Sequence, residues 1–265
     1  MNRSWSFTDV EFKVLWERIN RRGLPRPFTF TSRTPLLDDY EREKLAIWER
    51  MRPDVDAELR DLFTAIGLPE VYVVVRGWWE DDPDNPENQI RARVVRVGVQ
   101  GYLLIQQPGE TLWHSGGFTI EECGPRGLVD AVLRVLPPSP AGRTATVPLV
   151  LDHADEHEYH RPEPDSLVTE ARSESAADVS ARFLAAPGAA TGAISVHQGH
   201  SAFGPRGILK QDIFWRDMLD DGRYAIVLDQ APVAMGVDGR RLAGLVDAAV
   251  ERMLERADAH WEAHS

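Results

Sequence analysis

The sequence predicts an α+β fold in which one continuous antiparallel sheet is built from two pseudo-twofold-related β4α repeats. Four short strands joined by tight turns and followed by a helix occur twice, at about 70–136 and 188–260, and hairpin connections make neighbouring strands antiparallel. The string Gly-Leu-Val-Asp-Ala opens the final helix of each half, at 127–131 and 244–248. We therefore expect a single domain over 1–265, with helices on one face of the sheet or at its ends.

The shared string is weak support when taken alone. Leu, Val, Asp and Ala are frequent in this chain, so a five-residue match can arise by chance. Its position at the same point of two matching series of elements is what favours a true duplication.

Three helices are predicted before the sheet. The first, over 8–20, begins at Thr8 with capping-box spacing and ends where glycine and prolines follow. Two more are predicted from their apolar periodicity, over 38–51 and 54–66. A weakly alternating stretch at 28–31 predicts a short strand between the first and second helices.

The first repeat is predicted from β-branched and alternating segments. Its strands and closing helix are expected, in order, at 71–76, 90–99, 102–107, 111–121 and 125–136. The polar stretch 80–89 contains two prolines, which predicts an exposed acidic loop between the first two strands.

A connector rich in Pro, His, Asp and Glu is predicted at about 137–165, with a strand at 146–151, and a helix is predicted over 166–185. The strands and the long closing helix of the second repeat are expected at 190–197, 208–215, 223–229, 233–237 and 238–260. Asp238 is the expected N-cap of that helix, which has the clearest apolar period in the chain.

Composition and charge narrow the functional classes. Acidic residues outnumber basic ones by 42 to 30, for a net charge of −12, which argues against nucleic acid and anionic membranes as partners.

Cys123 is the single cysteine, so no intramolecular disulfide forms and a reducing compartment is favoured. The N-terminus lacks the apolar core of a signal peptide, and no apolar run reaches the ~20 residues of a membrane span. We expect a soluble, cytoplasmic protein, as a monomer or weak homodimer.

One motif suggests catalysis. His153, Glu156 and His157 match the H-x-x-E-H pattern of a zinc peptidase, in which two histidines one helical turn apart bind the metal. The surrounding segment is polar throughout and runs into prolines, which favours a solvated linker. A zinc-dependent hydrolase remains the alternative prediction. The chain has neither the glycine-rich phosphate loops nor the serine-hydrolase elbow, and no cofactor is expected.

Two groups of residues are candidates for partner binding. Trp78 and Trp79 end a predicted strand beside the acidic loop, where rigid aromatic side chains suit a protein interface, although either could instead close the core. On a later strand, alternation places Lys210, Asp212 and Phe214 on one face. That mixed face is either a binding surface or a solvated face of the sheet.

The order of several short strings resembles the EspG family. A helix at 14–17 runs into Leu-Pro-Arg-Pro-Phe at 24–28, and Glu41-Arg42, Leu45 and Trp48 resemble the next helix of the family. Further strings are similar to its C-terminal region; they lie at 207–217, at the Asp-Gly-Arg-Tyr turn of 221–224, and at 237–242.

This resemblance implies a pseudo-twofold fold with N-terminal and C-terminal helical subdomains around the antiparallel sheet. It implies a cytosolic chaperone of type VII (ESX) secretion in actinobacteria that binds the tip of a helical PE/PPE heterodimer. It implies neither catalysis nor a cofactor. It also implies that partner binding involves Lys210, Asp212 and Phe214 on the matched strand, whereas Trp78 and Trp79 are inferred from their chemistry alone.

Overall fold

The computed structural model of the protein describes residues 3–124, 127–150, 175–199, 207–228 and 231–262, with side chains to residue 255. Within these residues, ten strands form a single sheet. They are β1 Ser4–Phe7, β2 Val71–Trp79, β3 Gln89–Val97, β4 Gln100–Pro108, β5 Ser115–Glu122, β6 Thr146–Pro148, β7 Gly188–Gln198, β8 Lys210–Met218, β9 Gly222–Val227 and β10 Val233–Gly236.

The α-helices of the described residues lie before, between and after the strands. They are α1 Asp9–Asn20, α2 Leu37–Met51, α3 Ala57–Gly67, α4 Leu128–Arg134, α5 Ala176–Ala185 and α6 Gly239–Glu262. Among the parts of the chain that the structure describes, no helix is long and apolar enough to cross a membrane.

The sheet is antiparallel, and its order is symmetric about its centre. The strands follow the order β1-β5-β4-β3-β2-β7-β8-β9-β10-β6, so each half contributes four successive strands that run outward from the central β2–β7 pair. The predicted α+β class with one continuous antiparallel sheet is confirmed. The strand order is the one that two β4α repeats require, and an origin by duplication stays a prediction.

Helices cover both faces of the sheet, where the sequence analysis expected one face or the ends. Val94 and Val95 are adjacent on β3 and both fully buried, yet they belong to different cores. Because successive strand residues point to opposite faces, each face must be covered. On one face Val94 packs with α4 and α6, and on the other Val95 packs with α1 and α3.

The N-terminal helices begin and pack as their sequences dictate. Thr8 and Glu11 form the predicted reciprocal capping box at the start of α1. Phe12 of α1 then stacks on Phe118 of β5, with ring centroids 4.2 Å apart, and contacts Phe63 of α3. This aromatic cluster fixes the helices to the outer half of the sheet.

On the opposite face, the centre of the core is Trp215 of β8, which is fully buried. A Cβ atom at Gly77 would lie 2.5 Å from its indole ring, so only glycine allows β2 to approach it. The long helix α6 closes this core, and the predicted Asp238 cap is confirmed: its carboxylate accepts the Arg241 amide at 2.7 Å.

Near the N-terminus one predicted strand is absent from the structure, and one observed strand was not predicted. Residues 28–31 form no strand, because Phe28 is buried in the aromatic core and the Thr29 amide donates to the Gln106 side chain instead of to a strand. The strand β1 was missed; it is only four residues long and pairs with β5 at the edge of the sheet. Of the helix expected over 166–185, residues 166–174 lie outside the described residues.

A buried ion pair joins β8 to β9. Arg223 donates to both carboxylate oxygens of Asp217, at 2.7 and 2.6 Å, and both side chains are 6% exposed. The same guanidinium donates to the Pro137 carbonyl at 2.6 Å. This contact fixes the start of the connector against the second half of the sheet.

Removing one partner of this pair should strongly destabilise the protein. We expect Arg223→Met to lower the free energy of unfolding by about 3–5 kcal/mol, because it leaves the Asp217 carboxylate buried without a counter-ion. The control is Arg134→Met, which breaks an exposed pair with Glu121 and should change stability by less than about 1 kcal/mol. Urea unfolding measures both, and similar values for the two variants would contradict this role.

Candidate binding surface

One face of the three central strands is open between the N-terminal helices and α5. Two adjoining pockets lie there, and both are lined by Arg76. The pairing of β2 with β7 and of β7 with β8 sets which side chains share this face. We call it the open strip: Tyr72, Val74, Arg76 and Trp78 of β2, Thr191, Ala193, Ser195 and His197 of β7, and Lys210, Asp212, Phe214 and Arg216 of β8.

The first pocket, of about 540 Å³, is apolar. Trp78 is 36% exposed, and the neighbouring Leu184 and Leu228 are 47% and 53% exposed. With Phe214 and Ile226 they form a continuous patch around one concave site. A clustered apolar surface of this kind, in contrast to scattered exposed residues, indicates a site of interaction.

A bidentate ion pair positions one wall of this apolar pocket. Arg216 donates to the two Glu80 oxygens at 2.6 and 2.7 Å. It also donates to three carbonyls at the end of α5, those of Phe183, Leu184 and Ala186. The hydrogen bonds from Arg216 lower the pKa of Glu80. Leu184 is therefore fixed beside the strip by a charged side chain of β8.

The second pocket, of about 700 Å³, lies between the strip and the segment that follows α1; we call it the basic pocket. Its floor is a stack of three side chains from neighbouring strands. The Arg93 guanidinium lies 3.7 Å from the centre of the Tyr72 ring, and the Tyr72 and His197 rings are nearly parallel with centroids 4.7 Å apart. Such cation–π and stacking contacts favour a rigid floor.

Burial lowers the pKa values of Arg93 and His197 in this stack. It lowers the pKa of Arg93 to about 10, and the guanidinium remains charged at neutral pH. Burial, and then the nearby Arg93 charge, lower the pKa of His197 to about 4. The imidazole is therefore neutral at physiological pH, and the positive charge of the floor resides on Arg93.

The structure brings four of the five candidate residues together. Trp78 and Phe214 line the apolar pocket and Lys210 lines the basic pocket. Asp212 lies between the pockets, where Lys210 and Ser195 each contact it at 2.6 Å. Burial opposes ionisation of Asp212, but these hydrogen bonds outweigh it and lower its pKa.

The remaining candidates lie elsewhere. Trp79 faces the opposite side of the sheet and packs, partly buried, against the core beneath α4 and α6. His153, Glu156 and His157 lie outside the described residues. Within the described residues, no three His, Cys, Asp or Glu side chains are grouped in a way that could hold a metal ion.

Sequence reasoning found Lys210 and Asp212 but missed the other charged and stacked residues of the strip, which are Tyr72, Arg76, His197 and Arg216. Alternation along β2 places Tyr72, Arg76 and Trp78 opposite Val71 and Val75, and this signal was available. The sequence analysis predicts a strand from the β-branched and aromatic residues of this segment and selects only Trp78 and Trp79, at its end, as candidates. The cross-strand partners of these residues depend on pairings that a single sequence does not reveal.

Comparison with known proteins identifies the family. A family model described as the EspG family matches residues 8–248 of this chain. The chain belongs to the EspG family. No curated protein matches this EspG-family chain.

A solved structure has the same fold. It is described as the Mycobacterium tuberculosis type VII secretion system chaperone EspG5 in complex with a PE25–PPE41 dimer. The match covers 96% of this EspG-family chain and 96% of that chain, with a TM-score of 0.53 and 13% sequence identity. At this identity the likeness shows a shared fold.

The His197 environment predicts a pH-dependent stability. Histidine titrates near pH 6.5 when unfolded but near pH 4 here, so between these values the unfolded chain binds the additional proton. The contribution of this group to stability is complete above about pH 6.5 and is lost as the pH falls toward about 4.

His197→Gln should reduce this dependence. We expect the loss of unfolding free energy between about pH 7 and about pH 4.5 to be smaller in the variant by about 1–2 kcal/mol. Urea unfolding at both pH values measures the difference. Parallel pH profiles for the two proteins would show that the imidazole is not held neutral.

Proposed function

We propose that this EspG-family protein is a cytosolic chaperone that binds helical PE/PPE-type heterodimers for type VII (ESX) secretion. Its activity is binding, with no catalytic step. The observation that carries the proposal is the apolar pocket, which Trp78, exposed, and Phe214, partly exposed, line on the sheet, in a chain that matches the EspG family over residues 8–248.

The solved relative supports the choice of partner. It is described as a chaperone in complex with a PE25–PPE41 dimer, and the two chains share their fold over nearly their whole length. By analogy, the partner here is a PE/PPE-type pair. Binding requires an exposed apolar surface on this chain, which the apolar pocket supplies.

The surroundings of the apolar pocket also fit a binding role. Tight protein interfaces concentrate their binding energy in a few aromatic and arginine residues within a partly apolar pocket. Trp78, Phe214 and Arg76 supply these residue types at one site. No observation favours the zinc-dependent hydrolase that His153, Glu156 and His157 would form.

Co-purification tests the proposal. The full chain, co-expressed with a PE/PPE-type pair from the same genome, should elute with it from a sizing column at a defined stoichiometry. If every such pair eluted apart from correctly folded protein, the chaperone role would be contradicted.

Truncating Phe214 tests the site. We expect Phe214→Ala to weaken the complex by about tenfold or more, as loss of an aromatic contact of roughly 1–3 kcal/mol implies. Far-UV circular dichroism should remain unchanged. The matched control is Trp113→Ala, which removes a large aromatic side chain that is 67% exposed, outside the strip. Equal affinities for the Phe214 variant and the unmodified protein would exclude this pocket.

A further inference from the structure

We propose that the basic pocket binds the carboxylate of an acidic side chain on the protein partner. This inference rests on the proposed function and adds to it a second, charged anchor beside the apolar pocket. The partner segment must then carry an acidic residue as well as apolar ones.

The charge of the pocket is opposite to that of the protein. In the described part of the chain, its lining includes five cationic side chains and no aspartate or glutamate, whereas the whole chain has a net charge of −12. The cationic side chains come from the segment after α1 and from three strands; they are Arg22, Arg26, Arg76, Arg93 and Lys210. Clustered like charges of this kind attract an anion and disfavour a cationic or neutral partner.

Among the residues that the structure describes, Arg93 has no counter-ion, although it is only 7% exposed. Its Nη1 donates to the Arg26 carbonyl at 3.2 Å, whereas its buried Nε has no hydrogen-bond partner in the described structure. A buried charge is unfavourable unless it is paired. An incoming anion would supply the missing charge.

The other arginines of the pocket are also available. Among the described residues, Arg22, Arg26 and Arg76 form no ion pair, and Lys210 alone of the five cationic side chains contacts a carboxylate, that of Asp212. By contrast, Arg216 just beyond the pocket is fully engaged with Glu80. The free guanidinium groups are therefore concentrated where the pocket opens.

A carboxylate fits this chemistry. The planar guanidinium group presents paired N–H donors that match the two oxygens of a carboxylate, and such charge-assisted bonds are stronger than neutral ones. His197 is neutral at physiological pH, since burial lowers its pKa to about 4, and so adds no charge to the floor. The aromatic stack can contact the methylene groups of a Glu or Asp side chain.

The spacing of the two pockets constrains the partner. Tyr72 marks the basic pocket and Trp78 the apolar one, six positions apart on β2, or about 20 Å at ~3.3 Å per residue. A helix covers that length in about 13 residues. The segment that binds should therefore carry its acidic residue between three and four helical turns, or about 13 residues, from its apolar contacts.

The test is the salt dependence of the complex with a co-purifying PE/PPE-type pair. Arg22→Gln with Arg26→Gln removes two exposed charges that line the basic pocket and not the apolar one. We expect this double variant to bind about tenfold more weakly at low salt and to show a smaller loss of affinity on adding salt. Calorimetry on the full chain measures both quantities.

The matched control removes the same charge elsewhere. Arg96 faces the opposite side of the sheet near α4 and α6, and Arg240 is exposed at the start of α6. Arg96→Gln with Arg240→Gln should bind as the unmodified protein does. If the pocket variant also bound normally, with the same salt dependence, the basic pocket would be excluded while the chaperone proposal stood.

A measurement without the protein partner distinguishes failure of the proposed function from failure of the basic pocket. If no pair binds the unmodified protein, the melting temperature in glutarate is compared with that in glutaramide, its neutral diamide. A rise specific to glutarate, lost in the Arg22→Gln, Arg26→Gln variant and kept in the control, supports an anion site. An equal response of all three proteins contradicts it.

Discussion

The pairing of β2 with β7 is the constraint on which the rest of the structure depends. Nine residue pairs, from Val71↔Gln198 to Trp79↔Ala190, join the two halves in the middle of the sheet. Val73, Val75 and Ile194 are fully buried on one face, which fixes the register. A slip of one residue would move every side chain of β2 to the other face, and would remove Tyr72, Arg76 and Trp78 from the open strip.

This pairing also explains how much the sequence could predict. The sequence analysis predicted most hairpins and helices because they depend on local signals, such as the capping box at Thr8. The strip depends on contacts between distant residues; Arg216 and Glu80 are 136 positions apart. Trp78 and Trp79 are neighbours on β2 and lie on opposite faces of the sheet, so only Trp78 reaches the open strip. The strand prediction at 28–31 failed because Phe28 is buried in an irregular segment, and such residues give the same apolar signal in the sequence as residues of a strand.

The open strip combines two adjacent pockets, one apolar and one basic, which would contribute differently to partner binding. In the proposed complex, burial of apolar side chains at Trp78 and Phe214 would supply affinity that depends little on the partner's sequence. Charged contacts supply selectivity and orientation more than affinity. The arginines of the basic pocket would select partners with a correctly spaced acidic residue. In a protein with a net charge of −12, this would concentrate the attraction for an acidic partner at one site.

Site-specific photo-crosslinking tests the central claim most directly, namely that the open strip is the partner-binding surface. A photoreactive phenylalanine is placed at Trp78 in one protein and at Trp113, in the exposed β4–β5 loop, in another. With a PE/PPE-type pair present, we expect crosslinks from position 78 and few from position 113. Crosslinks from position 113 alone, in a protein that still forms the complex, would place the partner elsewhere and contradict the account.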